Sequence, residues 1–139
     1  MVSKWSAVLA LQRATHTTLH LLSEQVADLG LTSAEVNALA NLSDGAPRTV
    51  SALGRQVGAA PTTLTSVLDR LERRGHVTRG RHPSDRRALL IELTPAGRRA
   101  ATTIRQAIGR LERHALAGFD AEAIAGLRAG LDALAEVTR

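Results

Sequence analysis

The sequence predicts a mainly α-helical fold with a small two-stranded β-wing, and three observations lead to this prediction. The chain has 139 residues, the length of one domain, and 44% of them are hydrophobic, which is enough to form a core. Apolar residues recur at helical spacing over most of the chain. Only residues 76–93 contain short strand-like segments separated by a polar turn.

The first two predicted helices have recognisable ends. Helical spacing of apolar residues runs over residues 4–29 and stops at Gly30, a residue that commonly terminates helices. Thr32 and Glu35 have the spacing of a capping box, so a second helix begins there. It ends at residues 43–47, a polar run with Gly and Pro that breaks the helical period.

The next two helices form a helix-turn-helix pattern. Thr49 can cap a third helix that stops at Gly58, and Pro61 lies in the first turn of a fourth helix that ends at Gly75. Two helices joined by a short turn containing Gly match the helix-turn-helix motif. The pattern also occurs in helical bundles, so it does not identify the fold without the elements that follow it.

A β-hairpin and two further helices complete the chain. Residues 76–79 and 88–93 are predicted strands joined by a basic turn, and Thr94 with Pro95 starts a helix that runs to about Leu116. Asp120 caps a last helix. The chain is therefore predicted to be a single domain, residues 1–139, with a winged helix-turn-helix core at residues 32–93.

The outer helices, residues 1–30 and 95–139, are predicted to mediate dimerisation. They carry apolar stripes that one small monomer could not easily cover. Most soluble oligomers are closed homo-oligomers, and twofold dimers are the commonest. A homodimer would present two recognition helices to a palindromic DNA site.

Positive charge is concentrated in one stretch, the basic segment, residues 70–99. The formal net charge is +5, and the basic segment holds nine arginines against three acidic residues, so the rest of the chain is nearly neutral. Such a patch is the electrostatic footprint of a nucleic-acid-binding protein, although a solvated basic face is the alternative.

Composition and missing motifs exclude several classes. With no cysteine, the chain has no disulfide framework and no thiolate metal site. Its aromatic residues are Trp5 and Phe119 alone, which disfavours single-strand binding by base stacking and favours double-stranded DNA. No signal peptide or membrane span is recognised, so we expect a cytoplasmic protein without a membrane partner. No catalytic or phosphate-binding motif is present either, and we expect neither an enzyme nor a cofactor.

Two runs of residues resemble the signature of a known family. LERRGHVTR at residues 71–79 and DRRALLIELTPAG at residues 85–97 are similar to the MarR (multiple antibiotic resistance regulator) pattern L-E-x-x-G-x-V-x-R, D-x-R, an alternating strand and L-T-x-x-G. His76 departs from this pattern, because the family usually has an apolar residue there. The absence of cysteine excludes the branch that senses oxidants through a thiol.

The resemblance implies a homodimeric transcriptional regulator, usually a repressor. It also implies a small effector, often aromatic or phenolic, that binds near the dimer interface and lowers the affinity for the operator.

The fourth helix is the predicted recognition helix. Hydroxyl side chains and free N–H groups at a helix start suit phosphate oxygens and base edges, although simple capping is the alternative. Arg70 is the strongest candidate for a base or phosphate contact, with an intrahelical pair to Asp69 or Glu72, or a solvated surface, as the alternatives. The candidate DNA-binding residues here are Pro61, Thr62, Thr63, Thr65, Ser66, Arg70 and Arg73.

The turn of the hairpin, called here the wing (residues 80–87), is the second candidate DNA contact. Arginines inserted from a thin wing suit the negative potential of a narrow minor groove. The resemblance places Asp85 and Arg87 at the D-x-R positions, and we expect Asp85 to orient Arg87 through a salt bridge. An exposed loop without a partner is the alternative. The candidate residues are Arg81, Asp85, Arg86 and Arg87.

Three polar residues of the first helix form a candidate effector site. Arg13, His16 and His20 share one helical face, and they could bind a carboxylate or phenolate. Two histidines without a third ligand do not make a zinc site, so no metal is expected. Surface or structural roles are the alternative for both histidines. Trp5 could stack on an aromatic ligand, although a role in the core or the dimer is favoured.

The predicted function is that of a sequence-specific DNA-binding regulator, a ligand-responsive repressor acting as a homodimer on a pseudopalindromic operator. The fourth helix would enter the major groove and the wing would enter the flanking minor groove. The alternative is a winged helix that binds DNA without sequence preference or binds another protein.

Overall fold

The computed structural model describes residues 6–137, which form six α-helices and a small three-stranded sheet. The helices are α1 (Ala7–Gln25), α2 (Ser33–Asn41), α3 (Val50–Val57), α4 (Pro61–Arg73), α5 (Pro95–Ala115) and α6 (Ala121–Ala135). The strands are β1 (Arg48–Thr49), β2 (Val77–Arg81) and β3 (Leu89–Leu93). This confirms the predicted mainly α-helical winged helix-turn-helix.

The helices begin where their capping residues predict. Thr32 accepts a hydrogen bond from Glu35 N at 3.2 Å, and Thr49 accepts one from Ala52 N at 3.1 Å. The same interaction forms between Asp120 and Ala123 N at 2.8 Å. These side chains satisfy N–H groups that have no partner within the helix, and so fix where each helix starts.

The first helix is shorter than predicted. It ends at Gln25, and a separate 3₁₀ turn, Ala27–Leu29, leads to Gly30 in the left-handed conformation (φ 65°). Hydrogen bonds from Leu29 N to Val26 O and from Gly30 N to Ala27 O tighten the chain there, a common end for an α-helix. The predicted start at Lys4 lies outside the described residues.

The sheet contains a strand that was not predicted. β3 is central, pairing antiparallel with β2 along its whole length and with the two-residue strand β1 on its other edge. Arg48 of β1 holds both carboxylate oxygens of Asp44. This ion pair lowers the pKa of Asp44 to about 2. Strand β1 therefore attaches the hairpin to the turn that precedes α3.

The chain divides between Ile108 and Gly109 into two compact units. The core of the first unit is formed by α2, α3, α4, the sheet and α5, with nine large aliphatic side chains under 2% exposed. These are Val36, Leu39, Leu42, Leu53, Leu68, Leu71, Val77, Ile91 and Ile104.

The second unit consists of the end of α5 and all of α6. None of the residues of α6 is buried. Its apolar side chains Leu127 and Leu131 are 48% and 38% exposed, and Phe119 just before the helix is 58% exposed. Within residues 6–137, no helix combines the length and hydrophobicity that a membrane span requires.

The start of α5 packs closely on the chain that follows α4. A Cβ atom at Gly97 would lie 1.9 Å from the carbonyl oxygen of His76, which is backbone and cannot rotate away. The same carbonyl accepts a hydrogen bond from Thr94 N at 3.0 Å. Glycine is therefore required at position 97 by its surroundings.

We expect Gly97→Ala to lower the free energy of unfolding by about 3 kcal/mol, the upper end of the range for overpacked interiors. Urea denaturation at fixed protein concentration measures the effect. Gly109→Ala in the same helix is the matched control, because its Cβ would meet only the flexible end of Arg113, at 3.1 Å. That control should be neutral or more stable by up to about 1 kcal/mol. Equal stability of the two variants would show that the backbone of His76 does not constrain position 97.

Candidate nucleic-acid interface

The first two turns of α4 are exposed, as a DNA-reading surface requires. Pro61 occupies the first position of the helix, and Ala60 before it offers no side chain to cap the free N–H groups. Thr65 Oγ1 donates to Pro61 O at 2.9 Å, so its hydroxyl is partly used within the helix. The structure brings together on this exposed end the predicted residues Pro61, Thr62, Thr63, Thr65 and Ser66.

The opposite face of α4 is buried in the core. Leu64, Val67, Leu68 and Leu71 are at most 3% exposed. Because residues follow one another at about 100° around a helix, this stripe turns Thr62, Ser66 and Arg73 outward. Among the described residues, the side chain of Arg73 makes one hydrogen bond, a long one of 3.4 Å to Asp69 O of its own helix.

Arg70 lies on the flank of α4 that faces α2, and its partner was not among those predicted. Its Nε donates to Glu35 Oε1 at 3.0 Å, and the intrahelical pair with Asp69 or Glu72 does not form. Glu35 is only 3% exposed, and the same oxygen accepts from Thr32 Oγ1 at 3.1 Å. A buried carboxylate needs such partners, so the pair joins the recognition helix to the start of α2.

Arg79 on β2 holds the other flank of α4. Its Nη2 donates to Asp69 Oδ1 at 2.7 Å, and its Nε and Nη2 both bind the Glu72 carboxylate at 3.1 Å. These hydrogen bonds hold the pKa of Glu72 below its usual range. The glutamate and the final arginine of the motif L-E-x-x-G-x-V-x-R are therefore partners in this structure.

Local hydrogen bonds shape the wing. His82 N donates to Ala88 O at 3.1 Å and Ser84 N to His82 Nδ1 at 3.1 Å, closing the turn between β2 and β3. The side chains of Arg81, at the end of β2, and of Arg86 and Arg87, in the turn, are exposed. The predicted basic turn is present, and its arginines are exposed.

The predicted role of Asp85 needs correction. Its Oδ1 accepts from the backbone N–H of Arg87 at 3.0 Å, and its carbonyl oxygen accepts from Ala88 N at 3.1 Å. Among the described residues it forms no salt bridge with a wing arginine. A carboxylate two residues before an N–H closes an Asx-type turn, so Asp85 shapes the backbone that carries Arg87 rather than holding its guanidinium.

Two residues of α3 were missed by the sequence analysis. Ser51 and Arg55 line an open cleft of about 450 Å³ together with Pro61 and Thr65 of α4. Both lie outside the basic segment, so the charge count did not select them. Their four-residue spacing on a short helix before the recognition helix was the available signal.

The candidate effector residues lie on the exposed side of α1. Arg13, His16 and His20 are all exposed, and His20 Nε2 lies 3.1 Å from Glu24 Oε1. Within residues 6–137, no group of three or more His, Cys, Asp or Glu side chains could hold a metal ion. Trp5 lies outside the described residues.

His76 is half-buried between α4 and β2, where the family resemblance predicts an apolar residue. Burial lowers its pKa, and the nearby charge of Arg74 lowers it further. Both effects favour the neutral imidazole, which is the form compatible with this largely apolar position.

Sequence comparison matches this region to a known family. A family model described as the MarR family matches residues 31–89. The HTH-type transcriptional regulator YcgE of Bacillus subtilis, itself described as uncharacterized, is 35% identical over 63 residues, 45% of this chain and 41% of YcgE. The multiple antibiotic resistance protein MarR of Escherichia coli is 31% identical over 90 residues, 65% of this chain and 62% of MarR. Each match spans less than two thirds of the relative.

Solved structures extend the similarity to nearly the whole chain. A probable transcriptional regulator from Pseudomonas aeruginosa is 30% identical with a TM-score of 0.71, covering 93% of this chain and 96% of that one. A variant of Escherichia coli MarR in complex with operator DNA is 27% identical, with a TM-score of 0.70 and coverages of 91% and 94%. NadR in complex with 4-hydroxyphenylacetate, at 20% identity, shares the fold with a TM-score of 0.87 and coverages of 96% and 94%.

Family model, curated relatives and solved structures agree with the motif in residues 71–97, and the chain is similar to the MarR family in its winged-helix region and in its fold.

Proposed function

We propose that the chain is a sequence-specific double-stranded DNA-binding transcriptional regulator, a ligand-responsive repressor that acts as a homodimer on a pseudopalindromic operator. The observation that carries the proposal is the pairing of an exposed start of α4 with an exposed arginine wing in one compact unit. The operator complex of a MarR relative supports it. The proposal includes a cytoplasmic location, because that is where such a regulator meets its DNA, and it assigns no catalytic activity.

In this proposal α4 enters the major groove. Thr62 and Ser66 face the bases, while Arg73 and the terminal nitrogens of Arg70 face phosphates, since Arg70 donates to Glu35 through Nε. Ser51 and Arg55 of α3 add phosphate contacts beside the start of α4. The wing carries Arg81, Arg86 and Arg87 into the flanking minor groove.

The helices outside residues 32–93 form the dimer in this proposal. In the single chain, Val8 and Leu9 of α1 are 46% and 40% exposed, and Leu127 and Leu131 of α6 are also exposed. Aliphatic side chains at such regular positions gain about 1.5 to 3 kcal/mol each when they are fully buried, so a second copy is the natural cover. Such a dimer presents two α4 helices about 34 Å apart, one turn of DNA.

A small aromatic or phenolic effector completes the proposal, with Arg13, His16 and His20 as its polar contacts. The complex of NadR with 4-hydroxyphenylacetate supports the choice of ligand class. An effector shifts the dimer only by its differential affinity for DNA-competent and DNA-incompetent states. A coupling of about 1 to 3 kcal/mol is ordinary, which corresponds to a change in DNA affinity of about 5- to 150-fold.

We expect Arg87→Ala to weaken binding to duplex DNA and to reduce the slope of log K against log[salt] by about one unit, because one phosphate contact is lost. Fluorescence anisotropy titrations at several salt concentrations measure both quantities. Arg105→Ala is the matched control, since this arginine is exposed on α5 outside the basic segment and its loss should leave the slope unchanged. Identical slopes for the two variants would remove Arg87 from the interface.

We expect Arg13→Ala and His20→Ala to abolish the release of DNA caused by 4-hydroxyphenylacetate, while DNA affinity without ligand stays unchanged. Gln12→Ala, also exposed on α1, should respond like the unsubstituted chain. Anisotropy with increasing ligand measures the release. Unchanged release in both substituted chains would place the effector elsewhere.

A further inference from the structure

The recognition helix is held by ion pairs on both flanks, near its C-terminal end. At about 100° per residue, Arg70 and Glu72 fall on opposite sides of the buried stripe, and Asp69 lies close to the outward face. Arg70 binds Glu35 of α2, while Asp69 and Glu72 bind the same arginine of the hairpin, Arg79. The second contact joins the two elements that the proposed function sends into different DNA grooves.

Arg79 is placed where it can fix the position of the wing relative to α4. It lies in the middle of β2, opposite Ile91 of β3, which is fully buried. Its side chain is 23% exposed, and the wing begins at the next residue. Strand β2 therefore carries both the guanidinium of Arg79 and, from the next residue on, the wing.

The geometry of the contact restricts orientation more than it adds stability. Two parallel N–H···O bonds to Glu72 and a third bond to Asp69 determine the plane of the guanidinium. Both carboxylates are more than 40% exposed, and exposed ion pairs contribute little to the stability of a fold. The principal effect of the contact is therefore to fix the angle between α4 and the hairpin.

A direct contact of Arg79 with DNA is disfavoured by its surroundings. Two carboxylates surround one guanidinium, so the cluster has a net charge of −1 and repels phosphate. Arg79 is thus an arginine of the basic segment whose charge is compensated within the protein, by Asp69 and Glu72.

We propose that Arg79 is a positioning residue, which holds the wing at a fixed angle to α4 so that both bind one duplex at the same time. The inference rests on the proposed function. Two linked contacts bind more tightly than either alone only when their separation matches the target, because the second contact is then intramolecular. Arg79 sets that separation without touching DNA.

Arg79→Gln tests the proposal, with a duplex selected by the unsubstituted chain from a random-sequence pool and a scrambled duplex as probes. Affinity for the selected duplex should fall about tenfold or more, while affinity for the scrambled duplex falls much less. Arg105→Gln, which removes the same charge from an exposed site on α5, should lower both equally and slightly.

A double-mutant cycle with the wing separates positioning from loss of stability. Arg87→Ala should weaken binding to the selected duplex in the unsubstituted chain, but have little further effect beside Arg79→Gln, because the wing is no longer held in the groove. If Arg79→Gln only lowered the stability of the fold, which urea denaturation measures, the effects of the two substitutions on binding would be additive. Additive effects would therefore overturn the proposal.

The exchanged pair Glu72→Arg with Arg79→Glu provides the decisive rescue. It restores an ion pair between helix and strand at unchanged net charge, and the new arginine can also approach Asp69 on its own helix. Positioning predicts that specific affinity returns to within a few-fold of the unsubstituted chain. A direct DNA contact predicts no rescue, since a carboxylate at position 79 would repel phosphate.

The outcomes distinguish the two proposals. A chain that selects no duplex overturns the proposed function and the role of Arg79 with it. A chain that selects a duplex and keeps its affinity within about twofold after Arg79→Gln overturns the role of Arg79 alone. A folded exchanged pair that fails to restore binding also overturns it.

Discussion

The burial of one face of α4 is the constraint on which the rest of the candidate interface depends. The buried side chains are Leu64, Val67, Leu68 and Leu71. Each contributes about 1.5 to 3 kcal/mol relative to exposure, more than an exposed ion pair contributes, so they fix the rotation of the helix about its axis. That rotation turns Thr62 and Ser66 outward and places Arg70 and Glu72 on opposite flanks, where Glu35 and Arg79 bind them.

Six of the nine arginines of the basic segment fall into two groups with different chemistry. Arg70, Arg74 and Arg79 donate to acceptors of the protein, respectively a buried carboxylate, the carbonyl oxygen of Gly30 and two acidic side chains of α4. The arginines of the wing are instead exposed, Arg81 at the end of β2 and the other two on a turn closed by local hydrogen bonds. A count of charges along the sequence treats both groups alike, whereas in the structure the first group already donates to protein acceptors, Arg70 through Nε.

Local features of the fold were predictable from sequence, and contacts between distant residues were not. Thr32, Thr49 and Asp120 cap helices because a capping hydrogen bond spans only three residues. Strand β1 was missed because two residues show no alternation, and it exists only through pairing with β3, which lies far along the chain. The Glu35–Arg70 pair was missed for the same reason, because its two residues are also distant in the sequence. Exposure of the start of α4 and of the wing followed from polar composition, but the cleft beside Ser51 and Arg55 depends on how α3 packs against α4.

The most direct test of the central claim, that the chain reads DNA sequence, is a comparison of two dissociation constants at about 0.15 M salt. One is for the duplex that the chain selects from a random pool, and the other is for a scrambled duplex of equal length and composition. Sequence-specific recognition predicts that the selected duplex binds at least about 10³-fold more tightly, to a dimer of the chain. Equal affinities, both falling with salt along the same slope, would contradict the account and indicate binding to the phosphate backbone alone.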